Sequence, residues 1–345
     1  MPAPVTEDQI KDALKQVKYP GFNRDIISFG LLKGIAFDRD PIGILLAITT
    51  ADEKVADQIR VESEQALKNT ISGARFHVQV QAQQAAQGAS QQQGLPGVKQ
   101  IIAVASGKGG VGKSTVAANL ACALSSLGAK TGLLDCDIYG PSIALMFGTH
   151  EHPVATEDNG IEPILQYNLK LMSMGFLLED DAPAILRGPM VTRYTQQLLR
   201  FTKWGELDFL ILDLPPGTGD IQLTIVQTVA LSGAVIVTTP QDIALLDAKK
   251  GVAMFAKTNV KIFGIIENMS SFCCPHCGKE TEIFSKGGGE REAERQGVPF
   301  LGKIPLDMAV REAGDRGKPI VVAEPSSPQS KAFLEIARKL REAVK

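Results

Sequence analysis

The run Gly107-Lys108-Gly109-Gly110-Val111-Gly112-Lys113-Ser114-Thr115 has the residue types and spacing that grip a phosphate. It fits G-x-x-x-x-G-K-[ST] and adds a second lysine, Lys108, directly after the first glycine. Glycines let successive backbone N–H groups turn inward and approach phosphate oxygens closely. The start of a following helix adds partial positive charge. Lys113 is placed to reach the terminal phosphates and Ser114 to ligate Mg²⁺. The alternative is a glycine-rich turn that binds nothing. Against it stands the context: the apolar run Ile101–Ala105 reads as a buried strand, and Thr115–Leu127 as a helix.

Acidic residues follow at the spacing a nucleotide site needs. Asp135-Cys136-Asp137 ends a predicted strand, where two carboxylates suit Mg²⁺ contact and positioning of an attacking water, or cap the next helix. Phe209–Asp213 is an apolar run ending in aspartate, the expected second acidic element for Mg²⁺. It leads into Leu214–Asp220, a Pro- and Gly-rich loop suited to a switch beside a γ-phosphate. Lys108 either points away from its own loop to the nucleotide of a neighbouring subunit, like an arginine finger in trans, or is a solvated lysine.

Cysteine supplies a second chemistry. Five cysteines in 345 residues make no disulfide framework. Cys122 and Cys136 read as buried and inert. Cys274-Pro275-His276-Cys277-Gly278 puts two thiolates two residues apart, enough to chelate one metal centre. A tetrahedral site needs four ligands, and no matching pair occurs elsewhere. This is half a site, which a two-fold dimer would complete. Four thiolates suit a [4Fe–4S] cluster, and suit Zn²⁺ nearly as well. Cys273 is a spare thiol or an alternative ligand.

The elements that must position these residues fall into two parts. Length suggests two domains, and a hydrophobic fraction of 44% suffices for large cores. A net charge of −2 gives no sign of nucleic-acid or anionic-membrane binding. No apolar run is long enough to span a bilayer, and Met1–Gln16 is no signal peptide, so a cytoplasmic location is expected. Residues 1–82 read as a small α+β domain in the order α-β-β-α-β: helix Thr6–Val17 with Thr6 as N-cap, strands Ile26–Phe37 and Ile42–Thr49, helix Ala51–Leu67, strand Ala74–Val80. It pairs no nucleophile with a base, and reads as a docking module. Residues 83–97 are a Gln/Ala/Gly-rich linker. Residues 98–345 alternate strand and helix. Thr131–Asp135, Asp208–Asp213, Ala234–Thr239, Ile262–Glu267 and Pro299–Ile304 are the further strands. The fold class is α/β: a mostly parallel sheet flanked by helices, with ligands beyond the C-terminal strand ends.

The phosphate loop with Lys108 resembles the deviant loop of the MinD, ParA and nitrogenase-iron-protein class. DCDIYGPS (Asp135–Ser142), RGPM (Arg187–Met190), DLPPGTGD (Asp213–Asp220) and ENMS (Glu267–Ser270) narrow the resemblance to the Mrp/ApbC family of iron–sulfur cluster carrier ATPases. The resemblance covers 98–345, and 1–82 is similar to the iron–sulfur-assembly domain often fused ahead of such ATPases. It implies an ATP hydrolase in which Lys108 acts across a homodimer and Lys113 binds phosphate. Ser114 and Asp213 would place Mg²⁺, Asp137 would orient the hydrolytic water, and Asn268 would contact adenine. It favours a labile iron–sulfur cluster bridging the dimer on Cys274 and Cys277, received from a donor and passed to apo-proteins. Related small domains usually carry Cys-Pro after the second strand, where this chain has Thr49-Thr50-Ala51, so cysteine chemistry is not expected there.

Two other classes compete. A partitioning or positioning ATPase like MinD or ParA would use the pair for structural zinc, and some attach to membranes by a basic C-terminal helix. Ser330–Val344 has such an apolar face, which equally describes a core helix. An electron-transfer ATPase like the nitrogenase iron protein uses separated cysteines, unlike the C-x-x-C here.

Overall fold

The computed structural model describes residues 5–18, 25–27, 31–37, 40–48, 53–71, 73–82, 94–156, 160–177, 188–274 and 276–344. The chain divides into two compact units, Met1–Gln91 and Gln92–Lys345.

In the first unit, α1 (Glu7–Leu14) starts at Thr6, whose side chain accepts from Gln9 N while Gln9 reaches back to the Thr6 backbone. The helix buries Ile10 and Leu14, and Val17 packs beyond it. Strands β1 (Leu32–Ala36), β2 (Ile42–Ile48) and β3 (Phe76–Ala82) form a sheet in that order, with β1 antiparallel and β3 parallel to β2. Helix α2 (Glu53–Thr70) makes the crossover that a parallel pair requires. The expected strand Ile26–Phe37 is shorter. Ile26 lies in a turn closed by Ile26 N to Val17 O (3.0 Å) and Leu31 N to Ile26 O (3.1 Å). Its apolar side chain serves the core without strand pairing. Thr49–Asp52 lie outside the described residues.

The second unit alternates strand and helix. In order come β4 (Val98–Ala105), α3 (Lys113–Ser126), β5 (Thr131–Asp135), α4 (Ile143–Phe147), β6 (Ile164–Gln166), β7 (Leu169–Ser173), α5 (Gly188–Phe201), β8 (Leu207–Asp213), α6 (Asp220–Thr228), β9 (Gly233–Thr238), α7 (Asp242–Lys257), β10 (Ile262–Cys273), β11 (Glu280–Thr281), α8 (Gly288–Gln296), β12 (Phe300–Leu306), α9 (Met308–Asp315), α10 (Ile320–Ala323) and α11 (Pro328–Val344). The parallel strands run β12-β10-β9-β4-β8-β5-β7, with β6 antiparallel beyond β7 and β11 antiparallel at the far end of β10.

Strand alternation explains why both faces are covered. Ile102 and Val104 of β4, Ile211 of β8 and Val235 of β9 join α3, α10 and α11 in one core. Their neighbours Ile101, Ala103, Leu210, Leu212, Ala234 and Ile236 enter a second core with α5, α6 and α7. A strand buried on both sides reads as an unbroken apolar run, the signal these segments carry.

Residues 83–93 of the expected linker lie outside the described residues, and its last residues pack on the second unit. Leu95 is buried in that core, and Leu207 N donates to Gly97 O at 2.9 Å. The strand expected to stop near Glu267 continues to Cys273. The apolar face of α11 is no membrane anchor: Phe333, Ile336, Ala337 and Leu340 are buried against α3 and β12. No helix among the described residues is long and apolar enough to cross a membrane.

Candidate functional site

β4 delivers the glycine loop to the C-terminal edge of the sheet. Gly107 packs so close to α7 that a Cβ there would collide with the Asp247 backbone. Gly112 has φ +78°, and a Cβ there would strike the Asn268 amide. Long-range approach therefore fixes both glycines, and at Gly112 the backbone conformation does so as well. Gly109 and Gly110 are exposed at the loop tip, and Val111 is buried beneath it.

Lys113 opens α3 and is buried. Its ammonium makes an ion pair with Asp213 Oδ1 at the end of β8, and donates to Ser114 Oγ at 3.1 Å. Asp213 is fully buried, and its Oδ2 has no partner. Burial pushes the Asp213 carboxyl up, against the pull of Lys113 and Ser114. Asp213 is in register with Asp135 on β5. Asp135 accepts from Asp137 N (3.0 Å), Ser142 N (3.0 Å), Ile143 N (3.2 Å) and Ser173 Oγ (3.2 Å). Burial, with the adjacent Asp213 charge, pushes Asp135 up to about 7. Asp135 therefore organises the loop before α4, leaving Asp137, partly exposed one step on, as the freer carboxylate. Asp137 lies close enough for its charge to act on Asp213. Cys136 is buried and its thiol is pushed well up by burial, so it serves the core.

The loop after β8 is stitched to the phosphate loop. Leu214 N donates to Val104 O and Gly217 N to Ser106 O, each at 3.0 Å. Ser106 Oγ in turn donates to Lys108 O at 2.8 Å. Lys108 is partly exposed, and its ammonium has no ion-pair partner among the described residues.

Asn268 lies on β10 and donates from Nδ2 to Val111 O at 2.9 Å. Its carboxamide therefore first holds the phosphate loop. It also lines a cavity of about 350 Å³ with Gly112, Thr115, Met269, Pro305 and Leu306. Removing the carboxamide leaves a buried carbonyl unpaired, a cost of about 1–3 kcal/mol. Asn268→Ala is therefore expected to weaken nucleotide binding by about tenfold. Titration with a fluorescent ADP analogue checks this. An unchanged affinity would show that the Val111 contact does not shape the loop.

Beyond Asn268, β10 runs to the cysteines. Cys274 N donates to Lys279 O (3.0 Å) and Gly278 N to Cys274 O (2.8 Å), which brings Cys274 against Gly278 and Lys279 as a tight hairpin closure. Cys277 and Cys273 are exposed and Cys274 is partly so. Backbone hydrogen bonds from His276 and then Cys277 hold the Cys274 thiol below the usual cysteine range. Cys273 Sγ instead points to Gly278 O at 3.4 Å. Among the described residues, no three His, Cys, Asp or Glu side chains converge as a metal site. Arg187 of the RGPM motif and Pro275 lie outside the described residues.

Residues 97–341 match the family profile described as NUBPL iron-transfer P-loop NTPase. The chain belongs to that family. A second profile, described as iron-sulfur cluster assembly protein, matches 7–81. Across 336 residues the chain is 43% identical to an iron-sulfur cluster carrier protein of Haemophilus influenzae, covering 97% of this chain and 91% of the relative. A nucleotide-binding protein of Archaeoglobus fulgidus, solved in complex with ADP, is 37% identical with a TM-score of 0.61, over 72% of this chain and 96% of that one. The cell division ATPase MinD of Pyrococcus furiosus is more distant: 25% identity and a TM-score of 0.55, over 70% of this chain and 98% of that one. Membership of the iron-transfer P-loop NTPase family fits the mostly parallel sheet, the loop at its C-terminal edge and the cysteine hairpin.

Sequence reasoning missed Ser106, Asp247 and Ser173, which brace the site from outside its motifs. Ser106 was findable, as it sits directly before the glycine loop. Asp247 and Ser173 carry no local signal.

Proposed function

We propose that the protein is an ATP-dependent iron–sulfur cluster carrier. Two copies hold one labile cluster on Cys274 and Cys277 of each, and deliver it to apo-proteins. The observation that carries this reading is a C-x-x-C half-site directly after the strand that also touches the phosphate loop through Asn268. A MinD-like positioning role is disfavoured by the buried face of α11.

The site's residues divide the work. Backbone amides of Gly107–Thr115 wrap the phosphates, and Lys113 leaves Asp213 to neutralise them. Asp213 Oδ2, buried and unpartnered beside Ser114, fits a Mg²⁺ shell. Ser114 and Asp213 would hold that ion, which supplies charge neutralisation at the β- and γ-phosphates. Asp137 orients the attacking water. The cavity beside Gly112 takes the nucleoside, with Asn268 at the base edge. Lys108 reaches the partner copy's nucleotide. The loop after Asp213, tied to Ser106, reports the loss of the γ-phosphate.

The 1–82 domain docks donors or client proteins, joined by the 83–97 linker to the 98–345 ATPase domain. Neither nucleic acid nor a membrane is a partner in this reading. The free cysteines fit a reducing, cytoplasmic setting. The direct test is transfer from the cluster-loaded protein to an apo iron–sulfur enzyme, followed as regained acceptor activity. ATP is expected to change its rate. A loaded protein that never activates an acceptor, with or without ATP, removes the carrier role.

A further inference from the structure

The ENMS segment does more than place Asn268. Met269 has φ +55°, the left-handed region that a non-glycine residue avoids, in the middle of β10. Its side chain lines the cavity assigned to the nucleoside, and its Cε lies 3.6 Å from where a Cβ on Gly112 would stand. The strand is anchored on one side of this residue. Glu267, fully buried, accepts from Gly289 N at 2.6 Å at the start of α8, and pairs in register with Thr238 of β9. On the other side the pairing with β12 breaks step between Asn268 and Phe272. Past that break Phe272 still pairs with Leu306 of β12 and β10 gains β11, Phe272 opposite Thr281 and Cys273 opposite Glu280, before leading into Cys274.

One residue thus lines the cavity assigned to the nucleoside and stands between the anchored part of β10 and the segment that carries the cysteines. We propose that Met269 contacts the nucleoside and acts as the hinge through which nucleotide occupancy is felt at the Cys274–Cys277 hairpin. This rests on the cavity being the nucleoside site. A strained backbone persists only where its surroundings over-determine it. Here the fixed root at Glu267 supplies that constraint. A base seated against the Met269 side chain adds to it, so the hairpin is held more firmly. Linkage then requires a ligand on the hairpin to alter nucleotide affinity by the same factor.

Hydrogen–deuterium exchange of the full-length protein, with and without ADP, tests this. In the wild type, ADP is expected to slow exchange in 107–115 and, by about fivefold or more, in 270–281. Met269→Gly adopts the left-handed backbone freely and loses the side chain. At an ADP concentration raised until 107–115 is protected as in the wild type, it should lose most of the response at 270–281. Met269→Leu keeps the bulk and should respond like the wild type. An equal hairpin response in Met269→Gly would assign the effect to contact between copies, and overturn the hinge. A protected phosphate loop with an unchanged hairpin in the wild type would overturn it too, whatever the variants do. No protection of 107–115 in the wild type would sink the nucleotide reading and the hinge with it.

Discussion

The Cys274→Ser/Cys277→Ser double variant is expected to lose essentially all bound iron and sulfide while keeping its nucleotide affinity. In this reading each copy contributes Cys274 and Cys277, so removing them from both leaves a cluster none of its four thiolates. The hairpin is held by backbone bonds, Cys274 N to Lys279 O and Gly278 N to Cys274 O, which serine preserves. Cys274 and Cys277 also lie at the surface, outside the two cores of the ATPase unit, so the fold should survive. Iron and sulfide analysis after anaerobic reconstitution, beside ADP titration, measures both halves. Full cluster content in the double variant would move the ligands elsewhere, with Cys273 the first to examine.

The second large effect is expected at Lys113. Lys113→Ala removes the charge that meets the terminal phosphates, and ATP hydrolysis should fall by about 10²–10³-fold. It also strips the partner from a carboxylate with no exposure. Breaking a buried ion pair in this way costs about 3–5 kcal/mol when the remaining charge cannot be relieved. Here Asp213 has an escape, because burial already pushes its carboxyl up. Without Lys113 it is pushed further and takes a proton. The folded variant then holds a proton that the unfolded chain releases above 3.8, the ordinary aspartate value. Its stability should therefore fall as pH rises from that value, more steeply than in the wild type. Thermal melts across pH 5 to about 8 read this directly. Parallel pH profiles for the two proteins would show that Lys113 and Asp213 are not energetically paired.

Much of this was legible in the sequence because the signals are local. Ile101–Ala105, Phe209–Asp213 and Ala234–Thr239 announce strands buried on both faces, and the first two lead straight into the phosphate loop and Asp213. Thr6 and Gln9 form the capping box that starts α1. The rest depends on contacts that no short window contains. The β6–β7 hairpin turns at Tyr167 and Asn168, both at positive φ, without the Asn-Gly signal that usually marks such a turn. Gly107 is needed because Asp247 lies against it, 140 residues away in sequence. The family resemblance makes Asn268 a base-contacting residue, and the structure adds that its Nδ2 donates to the Val111 carbonyl. β10 reads as complete at Glu267 because polar residues follow. The chain continues as strand past Met269, paired with β11 and, at Phe272, with β12, so the cysteines follow directly on the strand that carries Asn268.

The central claim is that two copies share one cluster through Cys274 and Cys277. Anaerobic reconstitution of the full-length protein with iron and sulfide tests it, with metal content, visible spectrum and molar mass taken on the same sample. The account predicts a dimer with about four irons and four sulfides, two of each per chain. Tightly held zinc that iron does not displace, a full cluster on a single copy, or no metal on a stable dimer would contradict it.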